Sequence, residues 1–227
     1  MSPPLSDSRV VAFLGAAGSG KTEVALNLAL AWAQSYGRVA IVDFDYVTPY
    51  FRSQDVRERV AARGLEVIAS PPEFHDFDVP VVPPEIPHVI LDERRRMIFD
   101  VGGDEMGARM LGQLRRHLEA ASAAAYVVVN SRRPQTRHAE AVAEAVRTME
   151  EACGLRVRGL VANSNVGPET DEAICLEGVR VTTEAGRLLS LPVVMVACLA
   201  RLAEGMDRPG GPAVLPLVPQ LAPPWAA

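Results

Sequence analysis

Lysine is almost absent from this chain. Of its 23 basic residues, 22 are arginine and one, Lys21, is lysine. An ammonium is a compact point charge and a guanidinium a wide planar fork, so the retained lysine marks a place the fork does not fit. Cysteine is scarce too: Cys153, Cys175 and Cys198 are the three present, no two of them close in sequence. An odd, scattered set without a CxxC excludes a disulfide scaffold and predicts reduced thiols, as in a cytoplasmic protein. No apolar run approaches the ~18 residues of a membrane span. The apolar stretch near the N-terminus is short, broken by Gly15 and lacks a basic leader, so it does not read as a signal peptide. Positive charge is not in excess: the net charge is −5. That argues against nucleic acid as the partner, because binding to the phosphate backbone needs clustered cations. With 48% hydrophobic and 22% charged residues, the 227-residue chain reads as an ordinary globular protein of one to one and a half domains.

Short β-branched runs alternate with helical patterns. Strands are expected at Arg9–Gly15, Arg38–Asp45, Gly64–Ser70, Arg95–Gly103, Ala124–Asn130, Arg156–Asn165 and Pro192–Leu199. Helices are expected from Lys21 to Trp32, around Gln54–Arg63, from Met106 to Glu119, over Gln135–Cys153 and from about Glu169 to Leu189, the last with a possible break at Gly178. In the third of these, Met106, Met110, Leu111, Leu114 and Leu118 are read as one apolar face. Strict β–α alternation implies parallel crossovers, hence one α/β domain whose mostly parallel sheet carries helices on both faces. Residues 1–8 read as a loose end, 9–204 as the domain and 205–227 as a Pro-rich tail. Ser70–Asp92 is Pro-rich and without helical period, too long for a plain connection.

Gly15-Ala-Ala-Gly-Ser-Gly-Lys-Thr22 fits G-x-x-x-x-G-K-[ST] without mismatch, between an expected strand and an expected helix. Gly15, Gly18 and Gly20 let successive N–H groups, that of Ser19 among them, turn toward an anion. Lys21 can reach the outer phosphates and Thr22 can hold Mg²⁺. Asp43 and Asp45 close the second strand, and Asp100 closes the fourth ahead of two glycines, at the edge where open parallel sheets bind ligands. A metal-supporting and a water-orienting carboxylate are the roles that fit; capping of strand ends is the plainer one. Asn163 ends the sixth strand with an amide that can pair with an adenine edge, and no N-K-x-D guanine signature exists. Arg132-Arg133-Pro134 follows the fifth strand at the same edge and reads equally as a phosphate contact, a partner contact or plain surface. His75 and His88, with Asp76 and Asp78, have no recognisable metal spacing, and His117 and His138 read as surface residues of helices.

Together, GAAGSGKT, IVDFDYVTPYFRS, IFDVGGDEMGA and VVNSRRP resemble the MinD/ParA/CobQ-CobB group of P-loop NTPases, the branch that includes the nitrogenase iron protein. The resemblance implies a seven-to-eight-stranded, mostly parallel sheet, binding of ATP and Mg²⁺, slow hydrolysis and, often, nucleotide-dependent dimerisation. On that pattern Asp45 matches the water-positioning aspartate, Asp43 its metal-side neighbour, Asp100 the switch aspartate and Asn163 the adenine-side asparagine.

The departures choose within the group. Ala16 stands where deviant P-loops carry a lysine that reaches a partner's nucleotide. The tail LPLVPQLAPPWAA is neither basic nor helical, against a membrane anchor, and Asp100–Met110 contains no cysteine, where an iron protein requires one. The expectation is a cytoplasmic ATPase serving as a switch or accessory factor for a partner protein, with a nucleotide-dependent homodimer expected only if Arg52 or Arg109 supplies the trans charge. The alternative is an enzyme of the CobB/dethiobiotin-synthetase kind, using ATP to activate a small carboxylate substrate.

Overall fold

The computed structural model describes residues 3–45, 54–69 and 82–221. Eight strands form one sheet in the order β3-β2-β4-β1-β5-β6-β7-β8. They are β1 (Val10–Leu14), β2 (Val39–Phe44), β3 (Leu65–Ala69), β4 (Arg96–Val101), β5 (Ala124–Val129), β6 (Val157–Ala162), β7 (Val193–Leu199) and β8 (Ala213–Leu217). Every pairing is parallel. The central strands β1, β2 and β5 are buried along their whole length, which explains their unbroken apolar sequences.

Alternation splits β1 between the two faces. Val10, Ala12 and Leu14 join a core with α3 (Ile86–Leu91), α4 (Glu105–Gln113), α5 (Arg115–Ala120), α6 (Ala139–Cys153) and α7 (Glu172–Leu189). Val11 and Phe13 pack on the other side against α1 (Lys21–Tyr36) and Val60 of α2 (Gln54–Ala61). The apolar character of α1 is thus explained: Val24 to Leu30 and Trp32 are buried between sheet and flanking chain.

Several details differ from the sequence reading. The helix expected from Met106 to Glu119 is two: Leu114 has non-helical φ −92°, ψ 3°, and its N–H bonds to Leu111 one residue short of the α pattern. Met106 is 48% exposed, outside the apolar face. Helix α7 runs unbroken through Gly178, which is buried where the helix passes Ser164. Of the stretch read as a tail, 205–206 end α8 (Ala203–Met206) and 213–217 form the edge strand β8. Residues near the N-terminus are tied down, because Trp32 Nε1 donates to Pro4 O at 3.0 Å and Arg96 donates to the carbonyls of Ser8 and Ser6 at 3.0 and 2.9 Å. Of the Pro-rich region, 86–91 forms α3, while 70–81, with His75, Asp76 and Asp78, lies outside the described residues.

Candidate nucleotide-binding site

Chain order reverses at β1, which lies between β4 and β5, so a crevice opens above its C-terminal end. The Gly15–Thr22 loop fills that position and leads into α1, whose first residue is Lys21. Gly20 is left-handed at φ 86°, and a β-carbon there would collide with the Asn163 amide. Lys21 is 5% exposed; its ammonium donates to Ala16 O at 3.2 Å and faces Asp100, Asp45 and Asp104. Burial lowers its pKa, and the three carboxylates oppose that shift. This packing accounts for the one lysine.

Register brings the acids together. Asp43 of β2 and Asp100 of β4 are direct partners on neighbouring strands. Asp43 Oδ1 accepts the Asp45 N–H at 2.9 Å, fixing the turn out of β2. Asp100 is 1% exposed. Burial foremost, then the charge of Asp43, push its carboxyl up to about 7, while hydrogen bonding from the Thr22 hydroxyl and the charge of Lys21 pull the other way. Its Oδ1 and the Ser19 hydroxyl are buried with no hydrogen-bond partner among the described residues.

Beyond Asp100, Gly103 presses on the loop: a β-carbon there would lie 2.7 Å from both N and Cα of Ala17. Asp104, which the motif reading did not single out, caps α4 by accepting the Gly107 N–H at 2.9 Å and adds its charge beside Lys21. Its signal was present, since an acid directly before a helix reads as an N-cap. A recess of about 260 Å³ is bounded by Gly18, Lys21, Thr22, Asp45, Gly103 and Asp104, with Leu221 at its margin. Leu221 is held there by Glu23, whose carboxylate accepts the N–H groups of Gln220 and Leu221 at 2.9–3.2 Å. Nothing in the sequence linked these two ends of the chain.

On the other flank, Asn163 is 2% exposed and donates to Ser19 O at 2.7 Å. Arg132 pairs with Glu177 at 2.6 Å, and Arg133 Nε donates to Gly18 O at 2.9 Å. Arg109 is 70% exposed and pairs with Glu105 at 2.6 Å; Arg52 lies outside the described residues. Ala16 is buried. Cys153, Cys175 and Cys198 are buried free thiols, and burial pushes Cys198 up to about 11. Among the described residues, no group of three or more His, Cys, Asp or Glu is arranged to hold a metal, and no helix is long and apolar enough to cross a membrane.

The orphaned Asp100 oxygen beside Thr22 and Lys21 fits a Mg²⁺–phosphate group. That ion takes few protein ligands and completes its shell with phosphate oxygens and water.

Comparison with known proteins agrees with this geometry. The nucleotide-binding domain described as CbiA, CobQ/CobB/MinD/ParA, matches residues 10–172. Among solved structures, FtsY, the signal recognition particle receptor of Elizabethkingia anophelis, aligns at TM-score 0.51 and 15% identity over 86% of this chain and 59% of that one. FtsY from Thermotoga maritima aligns at 0.49 and 16%, over 87% and 64%. A nucleotide-binding protein from Archaeoglobus fulgidus, in complex with ADP, aligns at 0.47 and 17%, over 86% and 84%. The chain therefore spans only about 59–64% of the length of these FtsY structures. No curated protein matches it. With a P-loop at the switch point of a parallel sheet and a family match over most of its length, the chain belongs to the CobQ/CobB/MinD/ParA nucleotide-binding domain family.

Proposed function

We propose that this protein binds ATP with Mg²⁺, hydrolyses it slowly, and acts as a nucleotide switch or accessory factor for a partner protein. The observation that carries the reading is the buried Asp100 carboxyl, with one oxygen unpartnered among the described residues, set in register with Asp43 and facing Thr22 and Lys21. Such a cluster is costly by itself and is relieved by a cation with phosphates. When bound, Mg²⁺ supplies charge that offsets the triphosphate's and orients its oxygens. The loop N–H groups cradle the phosphates, Lys21 adds a positive charge from inside the site, and Thr22 and Asp100 hold the metal shell with Asp43 behind them. Asp45, half-buried at the mouth and braced by Asp43, is placed to orient a water.

Adenine is favoured over guanine because the position three beyond Asn163 is Val166. No carboxylate stands there to accept the N–H groups that only guanine presents.

Asp45→Asn tests the catalytic assignment. Nucleotide binding is expected to persist while turnover falls by about 10²-fold, the effect of losing a positioned base. Turnover per bound ATP equal to wild type would remove Asp45 from the role. The same assay separates a switch from a small-molecule enzyme. A switch shows slow basal hydrolysis raised by a protein; the enzyme couples hydrolysis to a metabolite.

A further inference from the structure

Charge is distributed unevenly around the loop. Lys21 is surrounded by Asp100, Asp45 and Asp104, Arg132 is neutralised by Glu177, and Arg109 by Glu105. Arg133 forms no ion pair among the described residues. It is exposed, yet fixed in place. Asn130 braces the turn that presents it: its carbonyl accepts the Arg133 N–H at 3.0 Å and the Thr136 hydroxyl at 2.7 Å, and its Oδ1 accepts the N–H groups of Arg132 and Asn165 at 3.0 and 3.2 Å. From that turn the guanidinium lies on the middle of the P-loop. Its Nε donates to Gly18 O at 2.9 Å, and a β-carbon on Gly18 would sit 2.8 Å from Nε and 3.0 Å from Cζ. The left-handed φ of 71° favours glycine here, and its missing side chain leaves room for the guanidinium.

The terminal nitrogens of a guanidinium whose Nε is engaged remain donors in a planar fork, the geometry suited to phosphate oxygens. Arg133 and Asn163 hold successive loop carbonyls, Gly18 O and Ser19 O; they follow β5 and β6, on the other side of β1 from β4 and β2, which carry Asp100 and Asp43. The aspartates and Lys21 mark the outer-phosphate and metal side, so this opposite flank faces the nucleoside side.

We propose that Arg133 is a second phosphate-binding cation of the site, contacting the phosphates nearest the nucleoside, which nucleoside di- and triphosphates share. This rests on the nucleotide reading above.

Arg133→Gln tests it, because glutamine keeps an N–H donor for Gly18 O and deletes the charge. Titration calorimetry would measure ADP and a non-hydrolysable ATP analogue, each with Mg²⁺, over a series of salt concentrations. Both are expected to weaken by the same factor, about three- to tenfold for one partly exposed charge-assisted bond. Affinity should also become less sensitive to salt, and Arg133→Lys should recover much of the loss. Circular dichroism melts would verify that the variants fold. Wild-type affinity in Arg133→Gln, a loss confined to the ATP analogue, or a loss with unchanged salt dependence would each overturn the assignment while sparing the nucleotide reading. A wild-type protein that binds neither nucleotide would overturn both.

Discussion

A carboxyl group at the position of Asp100 resists ionisation until a cation or phosphate-bound metal arrives, and this has a consequence for stability. Its ordinary value is 3.8, and burial with the neighbouring Asp43 raises it to about 7 in the folded protein. Between these values the folded state holds a proton that the unfolded state has released. Raising the pH through that window therefore favours unfolding, and above about 7 the loss levels off. Asp100→Asn should flatten this part of the stability curve and melt higher than wild type in nucleotide-free buffer at neutral pH and above, by roughly 2–4 °C per kcal/mol relieved. Differential scanning calorimetry across the window measures it; a variant that melts lower at neutral pH would show that the ionised carboxylate is stabilising. Asp43, Asp45, Asp100 and Lys21 were legible in the sequence because each sits at a strand end or in a fixed-spacing motif, where topology alone delivers it to the crevice. Arg133 could not be told from a surface arginine, since its meaning depends on Gly18, 115 residues away. Asn163 was legible as a site residue, but its bond to Ser19 O was not.

At the scale of elements, the P-loop and the turn after β4 are packed against each other through backbone. Gly103→Ala would place a methyl 2.7 Å from Ala17 N and Cα, atoms that cannot yield as a side chain tip would. The loop must shift, and nucleotide affinity should fall by roughly tenfold or more, a cost of about 1.4 kcal/mol, while far-UV circular dichroism stays unchanged. Calorimetric titration of the variant decides; wild-type affinity would mean that the loop tolerates displacement. The seven strands ahead of the tail were readable because they are largely apolar runs, most nearly continuous in the fully buried β1, β2 and β5. Strand β8 was not, because Pro216 interrupts it; an edge strand bonded to β7 alone tolerates a residue without an N–H. The break at Leu114 was likewise hidden, because an apolar periodicity continues across a short helical break.

For the whole molecule, the question is how one copy meets another. Ala16 is buried and offers no charge, and Arg109 is committed to Glu105 on its own helix. Without nucleotide the protein should therefore be a monomer or weak dimer by light scattering, with the ATP analogue tightening it only if an arginine is recruited across the interface. A tight dimer independent of nucleotide would contradict the switch reading and favour a metabolic enzyme. The central claim is that this loop, through its one lysine, holds ATP. Isothermal titration of wild type and Lys21→Ala with non-hydrolysable ATP and GTP analogues, each with Mg²⁺, tests it most directly. The account predicts one ATP analogue bound per chain, weaker binding of the GTP analogue, and loss of both in a folded Lys21→Ala variant. Undiminished affinity in that variant, or GTP bound as tightly as ATP, would contradict it.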